Sequence, residues 1–357
     1  MQNKNIELNF SNQRFFIGLD VHKNSWTITV RTNQMELKTF SMNPQPEELV
    51  KYLQRNYPKG EYFSVYEAGF CGYWIDKQLR EQGIKNIVVN GADVPSRNKE
   101  RVNKDDIIDS RKLARELENG TLNGIYIPND YHEGIRTLCR LRYSLTKEQT
   151  RIKTRIKSLL SYYGKDCPEN FELKNWSGRF INFLEGLEFN QTTAKQTLNH
   201  LLKELKDKKQ RLAEIIRELR DSSKEAGIGE KIKHLMSIPG ISFITAITFY
   251  TEIMDMRRFK GLAELCGFVG LVPSTYSSGD KQRVIGLSNR QSKYLRNLLF
   301  ESSCVAVRND PALMMKFCEL TQRMVKQKAI VRIARKILNR MRHIWLNETE
   351  YVIALIQ

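Results

Sequence analysis

From Arg14 to Ser41 the chain alternates short apolar stretches, RFFIGLDV, SWTITV and MELKTFSM, with polar turns at HKN and TNQ, which predicts three strands of an antiparallel meander. PEELVKYLQRN then has helical spacing, EYFSVYEA reads as a strand, CGYWIDKQLREQG as a helix closing on Gly83, and IKNIVVNGA as a strand. A helix around Asp105 to Leu117 follows. The predicted order is β-β-β-α-β-α-β, and the turn-rich PNDYHEG near residues 128–134 marks the end of this domain.

Beyond it the period changes from two to about 3.6 residues. Residues 135–164 lack strand signals, and residues 191–226 carry Leu198, Leu201, Leu205, Leu212, Ile215 and Leu219 at alternating three and four spacing, with Lys208 interrupting the seam. Such a stripe serves either a dimer or packing within its own chain. From about residue 229, short helical segments are punctuated by IPGIS, CGFVGLVP and SSGDK, followed by helices from Ser288 to Val307 and from Thr321 to Leu346. The expected domains are therefore 1–130, 131–228 and 229–357.

Charge adds the first functional information. With 58 Lys and Arg against 40 acidic residues, the net charge is +18, an excess suited to phosphate. The helix from residue 135 carries Arg136, Arg140, Arg142, Lys147, Arg151, Lys153, Arg155 and Lys157 opposed only by Glu148, and Arg323 to Arg342 holds eight basic residues and no acidic one. No apolar run is long enough for a membrane span, the N-terminus has no signal-peptide core, and the six scattered cysteines form no CxxC pair, so a cytoplasmic protein without a zinc site is expected.

The candidate chemistry is acidic. Asp20 and Glu67 each end a predicted strand, where an acid either caps a turn or serves as a metal ligand. Asp106 and Asp109 share one face of a helix at i, i+3; their spacing also suits plain N-terminal helix charge, and Asp105 pairs equally well with Asp109 at i, i+4. Four such oxygen donors suit two Mg²⁺ or Mn²⁺ ions acting on a phosphodiester. None of the five histidines has the setting of a general base in a Ser-His-Asp triad.

With GLDVHK, YEAG and KDDIIDSRKLA in this order, the first domain resembles the RuvC-like, ribonuclease-H-type domain of DEDD transposases, which implies Asp20, Glu67, Asp106 and Asp109 as the catalytic tetrad. The stretch FKGLAELCGFVGLVPSTYSSGDKQRVIGLSNRQSKYLRNLLF resembles the C-terminal domain of insertion-sequence transposases that pair such a site with a catalytic serine. In that family the serine precedes a glycine, which matches Ser278 before Gly279; Ser277 stays open on the residues alone. HLMSIPGISFITA has the form of a helix-hairpin-helix or of a simple αα-hairpin.

The resemblance covers about residues 14–120 and 229–310 and implies an α/β RuvC-like domain, a helical coiled-coil insertion and a mainly α C-terminal transposase domain. It also implies DNA as substrate, a structured bridge RNA as guide, and a homo-oligomer, dimer or tetramer. Arg136, Arg140, Arg151, Arg155, Arg283, Arg290, Lys293 and Arg296 are the expected nucleic-acid contacts. Site-specific inversion by the same family, or junction cleavage by a metal-activated water, are the competing readings.

Overall fold

The computed structural model describes residues 8–96, 105–165, 176–225, 227–278, 281–287 and 292–353, without the side chains of 275–278 and 281–285. Contacts divide the chain into two compact units, Met1–Ile127 and Pro128–Gln357.

The first unit is built on a five-stranded sheet of order β3-β2-β1-β4-β5. The strands are β1 (Arg14–Val21), β2 (Trp26–Thr32), β3 (Met35–Met42), β4 (Glu61–Glu67) and β5 (Lys85–Val89). β1, β2 and β3 form the antiparallel meander, while β1–β4 and β4–β5 run parallel. The parallel steps need crossovers, supplied by α1 (Pro46–Asn56) and α2 (Trp74–Glu81).

Alternation along β1 separates two faces. Phe15, Ile17 and Leu19 join Leu49 and Leu53 of α1 and Ile75 and Leu79 of α2 in one buried core. The other face is covered by α3 (Asp106–Glu118), whose Leu113 packs with Val65 of β4 and Val89 of β5. Here Gly18 is indispensable: a Cβ at that position would lie 2.1 Å from the backbone oxygen of Ser110 and 2.5 Å from the backbone nitrogen of Ala114. The hydroxyls of Ser110 and Thr29, 2.9 Å apart and fully buried, fasten α3 to β2.

The second unit opens with two long helices, α4 (Asp130–Tyr162) and α6 (Thr192–Glu225), joined through the short α5 (Gly178–Gly186). They run antiparallel: Ile152, Ile156 and Leu160 meet Leu198, Leu202 and Leu205, with Phe180 and Leu184 of α5 closing the cluster. Lys208, which breaks the leucine seam, pairs with Glu148 across the helices at 2.6 Å. The stripe is thus occupied within its own chain along this length.

At its other end the pair joins one extended core, in which Ile135, Cys139, Ile215 and Leu219 pack with the helices that follow. These are α7 (Gly229–Met236), α8 (Phe243–Ile253), α9 (Leu262–Val269), α10 (Lys293–Asn309), α11 (Pro311–Arg323) and α12 (Lys326–Asn347). Two details differ from the sequence expectation. The final basic helix is divided at Met324 and Val325, and the segment read as a turn forms an antiparallel hairpin of β6 (Pro273–Ser278) and β7 (Lys281–Leu287). Thr275, Tyr276, Val284 and Ile285 supply strand-forming residues that flank the SGD turn signal. Among the described residues, no helix is long and apolar enough to cross a membrane.

Candidate active site

Because Gly18 and Asp20 lie on the same face of β1, the helix seated on Gly18 brings its first turn over Asp20. Asp105 caps that helix by accepting from Ile107 N at 3.4 Å, which leaves Asp106 and Asp109 as the acids of the first turn. Asp20 and Asp106 converge on His22: its Nε2 lies 3.2 Å from Asp20 Oδ2 and 3.2 Å from Asp106 Oδ1. Ligand atoms of Asp20, His22 and Asp106 all fall within 4.8 Å of one another, a spacing at which one metal ion could be shared.

Glu67 and Asp109 meet through a residue that spacing had not singled out. Lys112, one turn after Asp109, donates to Asp109 Oδ1 at 3.0 Å and stands 3.5 Å from Glu67 Oε1. Behind Glu67, a Cβ on Gly91 would lie 2.3 Å from Glu67 Oε2, so the bare glycine backbone makes room for the carboxylate. Gly91 opens a 3₁₀ turn directly after β5, capped by the Asn90 side chain. The turn at Asn90 and Gly91 therefore shapes the space that Glu67 occupies.

The electrostatics follow from this crowding. Burial raises the Asp20 carboxyl above its ordinary range, and Asp106 and Asp109 add to that although His22 opposes it. His22 is raised: partial burial works against its charge, but Asp20 and Asp106 outweigh it. Lys112 is likewise raised, since Asp109 and Glu67 overcome the cost of burying the ammonium. Asp20, His22 and Asp106 offer donors close enough together for one divalent ion, whereas Glu67 and Asp109 face the Lys112 ammonium.

In the second unit, Ser278 is the last residue of β6, in register with Lys281 of β7, and Ser277 is in register with Gln282. Gly279 and Arg290 lie outside the described residues, as does the side chain of Arg283. Lys293 is exposed at the start of α10, and Arg296 donates to Gly270 O at 3.3 Å. On α4, Arg151 and Arg155 are exposed, whereas Arg136 is buried. Arg140 forms a bidentate pair with Glu252 of α8, at 2.7 and 2.8 Å. At the IPGIS turn, a Cβ on Gly240 would meet Ser302 O at 2.3 Å, so this glycine is spent on packing against α10.

A 3-2-1-4-5 sheet with an acid-bearing helix across β1 is consistent with a ribonuclease-H-like DEDD protein. Comparison with known sequences makes the class specific. Residues 17–164 match the transposase family profile named for DEDD and IS110, and residues 232–319 match the profile described as Transposase IS116/IS110/IS902 family. These two matches support a transposase of the IS110/IS116 family.

Similar proteins include a putative transposase of Sinorhizobium fredii, 27% identical over 239 residues, and the transposase for insertion sequence element IS1111A of Coxiella burnetii, 26% identical over 212 residues. Those alignments take in 67% and 58% of this chain but 57% and 56% of the relatives, so the chain spans little more than half of their length. A second putative transposase of Sinorhizobium fredii is 25% identical over 366 residues, covering 90% of this chain and 89% of that protein.

Proposed function

We propose that this chain cuts and rejoins DNA, with Ser278 as nucleophile and Asp20, Glu67, Asp106 and Asp109 as the ligands of divalent metal, two ions in the assembled complex with DNA. The observation that carries this reading is the convergence of strand-end and helix acids: Asp20 and Asp106 share one nitrogen of His22, and Glu67 and Asp109 share Lys112. Four carboxylates are not gathered for stability, since their mutual repulsion opposes folding unless cations compensate it. The metal, when bound, supplies Lewis-acid stabilisation of phosphate oxygens.

In the proposed cycle the Ser278 hydroxyl attacks a phosphodiester, the P–O bond to one DNA end breaks, and that end leaves as an alcohol carrying the proton lost by the serine. The phosphoserine conserves the bond energy, and the hydroxyl of a second DNA end then attacks it and restores the serine. Exposed Arg151, Arg155 and Lys293 support DNA and a structured guide RNA as the nucleic-acid partners. A homo-oligomer, inferred from the family resemblance, belongs to the same proposal, and light scattering of the purified chain tests it.

Recombination assays with Ser278→Ala and Asp20→Asn, each with and without the co-purifying RNA, test the reading. Loss of strand transfer in both variants, with loss of the protein–DNA adduct in Ser278→Ala, is the expected result. Cleavage that persists in Ser278→Ala without an adduct would move the chemistry to a metal-activated water. Strand transfer unaffected by removal of the RNA would exclude the guide.

A further inference from the structure

We infer that Lys112 is a positioning residue that takes the place of a second cation between Glu67 and Asp109, so that the chain free of nucleic acid holds one divalent ion, beside Asp20 and Asp106. This rests on the metal-site reading above and refines it by separating the free chain from the DNA complex.

The two halves of the acidic cluster are built differently. On the Asp20–Asp106 side the bridging group is His22, which lies beyond the end of β1 with 51% of its side chain exposed. An exposed imidazole can turn aside for an ion at little cost, or serve as one of its ligands. On the Glu67–Asp109 side the bridging group is an ammonium on a stem that is only 9% exposed and rooted in α3. Withdrawing it would strand either a buried ammonium or two carboxylates without a counter-charge.

The position also matches what a cation there must do. Lys112 Nζ stands 3.0 Å from Asp109 Oδ1 and 3.5 Å from Glu67 Oε1, so a single charge draws together carboxylates that come from α3 and β4. The bare backbone of Gly91 leaves room for the Glu67 carboxylate in this position, where a Cβ would meet Oε2 at 2.3 Å. Lys112 thus sets Glu67 and Asp109 in place before any substrate arrives, and an ion entering between them must displace a hydrogen-bonded ammonium rather than water.

The experiment is a Mn²⁺ titration of the purified, nucleic-acid-free full chain, read by equilibrium dialysis and by electron paramagnetic resonance, with circular dichroism as the check on folding. Wild type is expected to bind one Mn²⁺ per chain, and Lys112→Met and Lys112→Gln two, with the broadened spectrum of neighbouring ions. Lys112→Arg, which keeps the charge, is expected to return to one, an outcome that a merely structural lysine would not produce. Two ions on wild type, or a count that stays at one in a folded Lys112→Met or Lys112→Gln chain, would overturn the inference. Failure of the metal-site reading is a separate result: Mn²⁺ binding would then survive Asp20→Asn unchanged.

Discussion

Gly18 and Ser110 meet backbone to backbone: there is no room for even a methyl group between the α-carbon of one and the carbonyl oxygen of the other. This contact carries the geometry of the acidic site, because Gly18 precedes Asp20 by one alternation of β1 and Ser110 follows Asp109 directly. In Gly18→Ala the added carbon meets backbone, which cannot rotate away, so α3 must lift from the sheet. A loss of about 2–3 kcal/mol is expected from such overpacking. Thermal melts should show a lower transition, and the stabilisation conferred by Mn²⁺ should fall with it.

Gly91→Ala should separate site geometry from stability. The new methyl meets the end of a flexible Glu67 side chain rather than backbone. Glu67 can swing outward, so the unfolding temperature should change by no more than about 1 °C for a cost of a few tenths of a kcal/mol. The carboxylate then leaves Lys112 and the site. In the complex with DNA, where Glu67 is proposed to hold the second ion, Mn²⁺ affinity should drop by about tenfold or more, as it does when groups that orient metal ligands are removed. Calorimetric titration beside a melt measures both, and unchanged affinity would refute the role given to Gly91.

Asp310 makes acid stability a readable quantity. Its carboxylate, 1% exposed, accepts from Arg340 Nη1 and Tyr351 Oη at 2.7 Å each and from Leu313 N at 2.9 Å. Burial by itself would raise this carboxyl, but the Tyr351 and Leu313 hydrogen bonds and the Arg340 charge hold it below the ordinary range. A lowered value means that the stabilisation is complete above the unfolded-chain value of about 4 and is lost as pH falls from there through the folded value. Asp310→Asn should cost about 3 kcal/mol at neutral pH by leaving Arg340 without its partner. It should also flatten the dependence of the melting temperature on pH below about 4; an unaltered acid slope would contradict this assignment.

What the sequence made legible was local. Strand alternation and caps located β1, β4 and α3, so the elements that carry Asp20, Glu67, Asp106 and Asp109 could be found from pattern alone. Lys112 and Gly91 could not be found that way, because their meaning lies in what stands opposite them after folding. The partner of Arg140 was hidden for the same reason: in sequence the residue is one of a basic run, and Glu252 lies 112 residues away. The β6–β7 hairpin was legible in Thr275, Tyr276, Val284 and Ile285, but the serine- and glycine-rich centre directed attention to the turn instead.

The basic residues of α4 should therefore divide by experiment into two groups. Arg140 ties α4 to α8 through Glu252, whose side chain is largely buried, so Arg140→Ala leaves that carboxylate without its bidentate partner. A stability loss of about 2–3 kcal/mol is expected, visible in a melt without nucleic acid. Arg151 and Arg155 are exposed four residues apart on one helix face. Replacing both with Gln should leave the melt within about 0.5 kcal/mol of wild type. If each neutralises one phosphate, the double variant should bind duplex DNA more weakly and reduce the slope of log K against log salt by about 1.8. Fluorescence anisotropy across a salt series measures that slope. An unchanged slope would remove this face of α4 from the duplex interface, whereas a reduced slope seen only with the co-purified RNA would give the face to the guide.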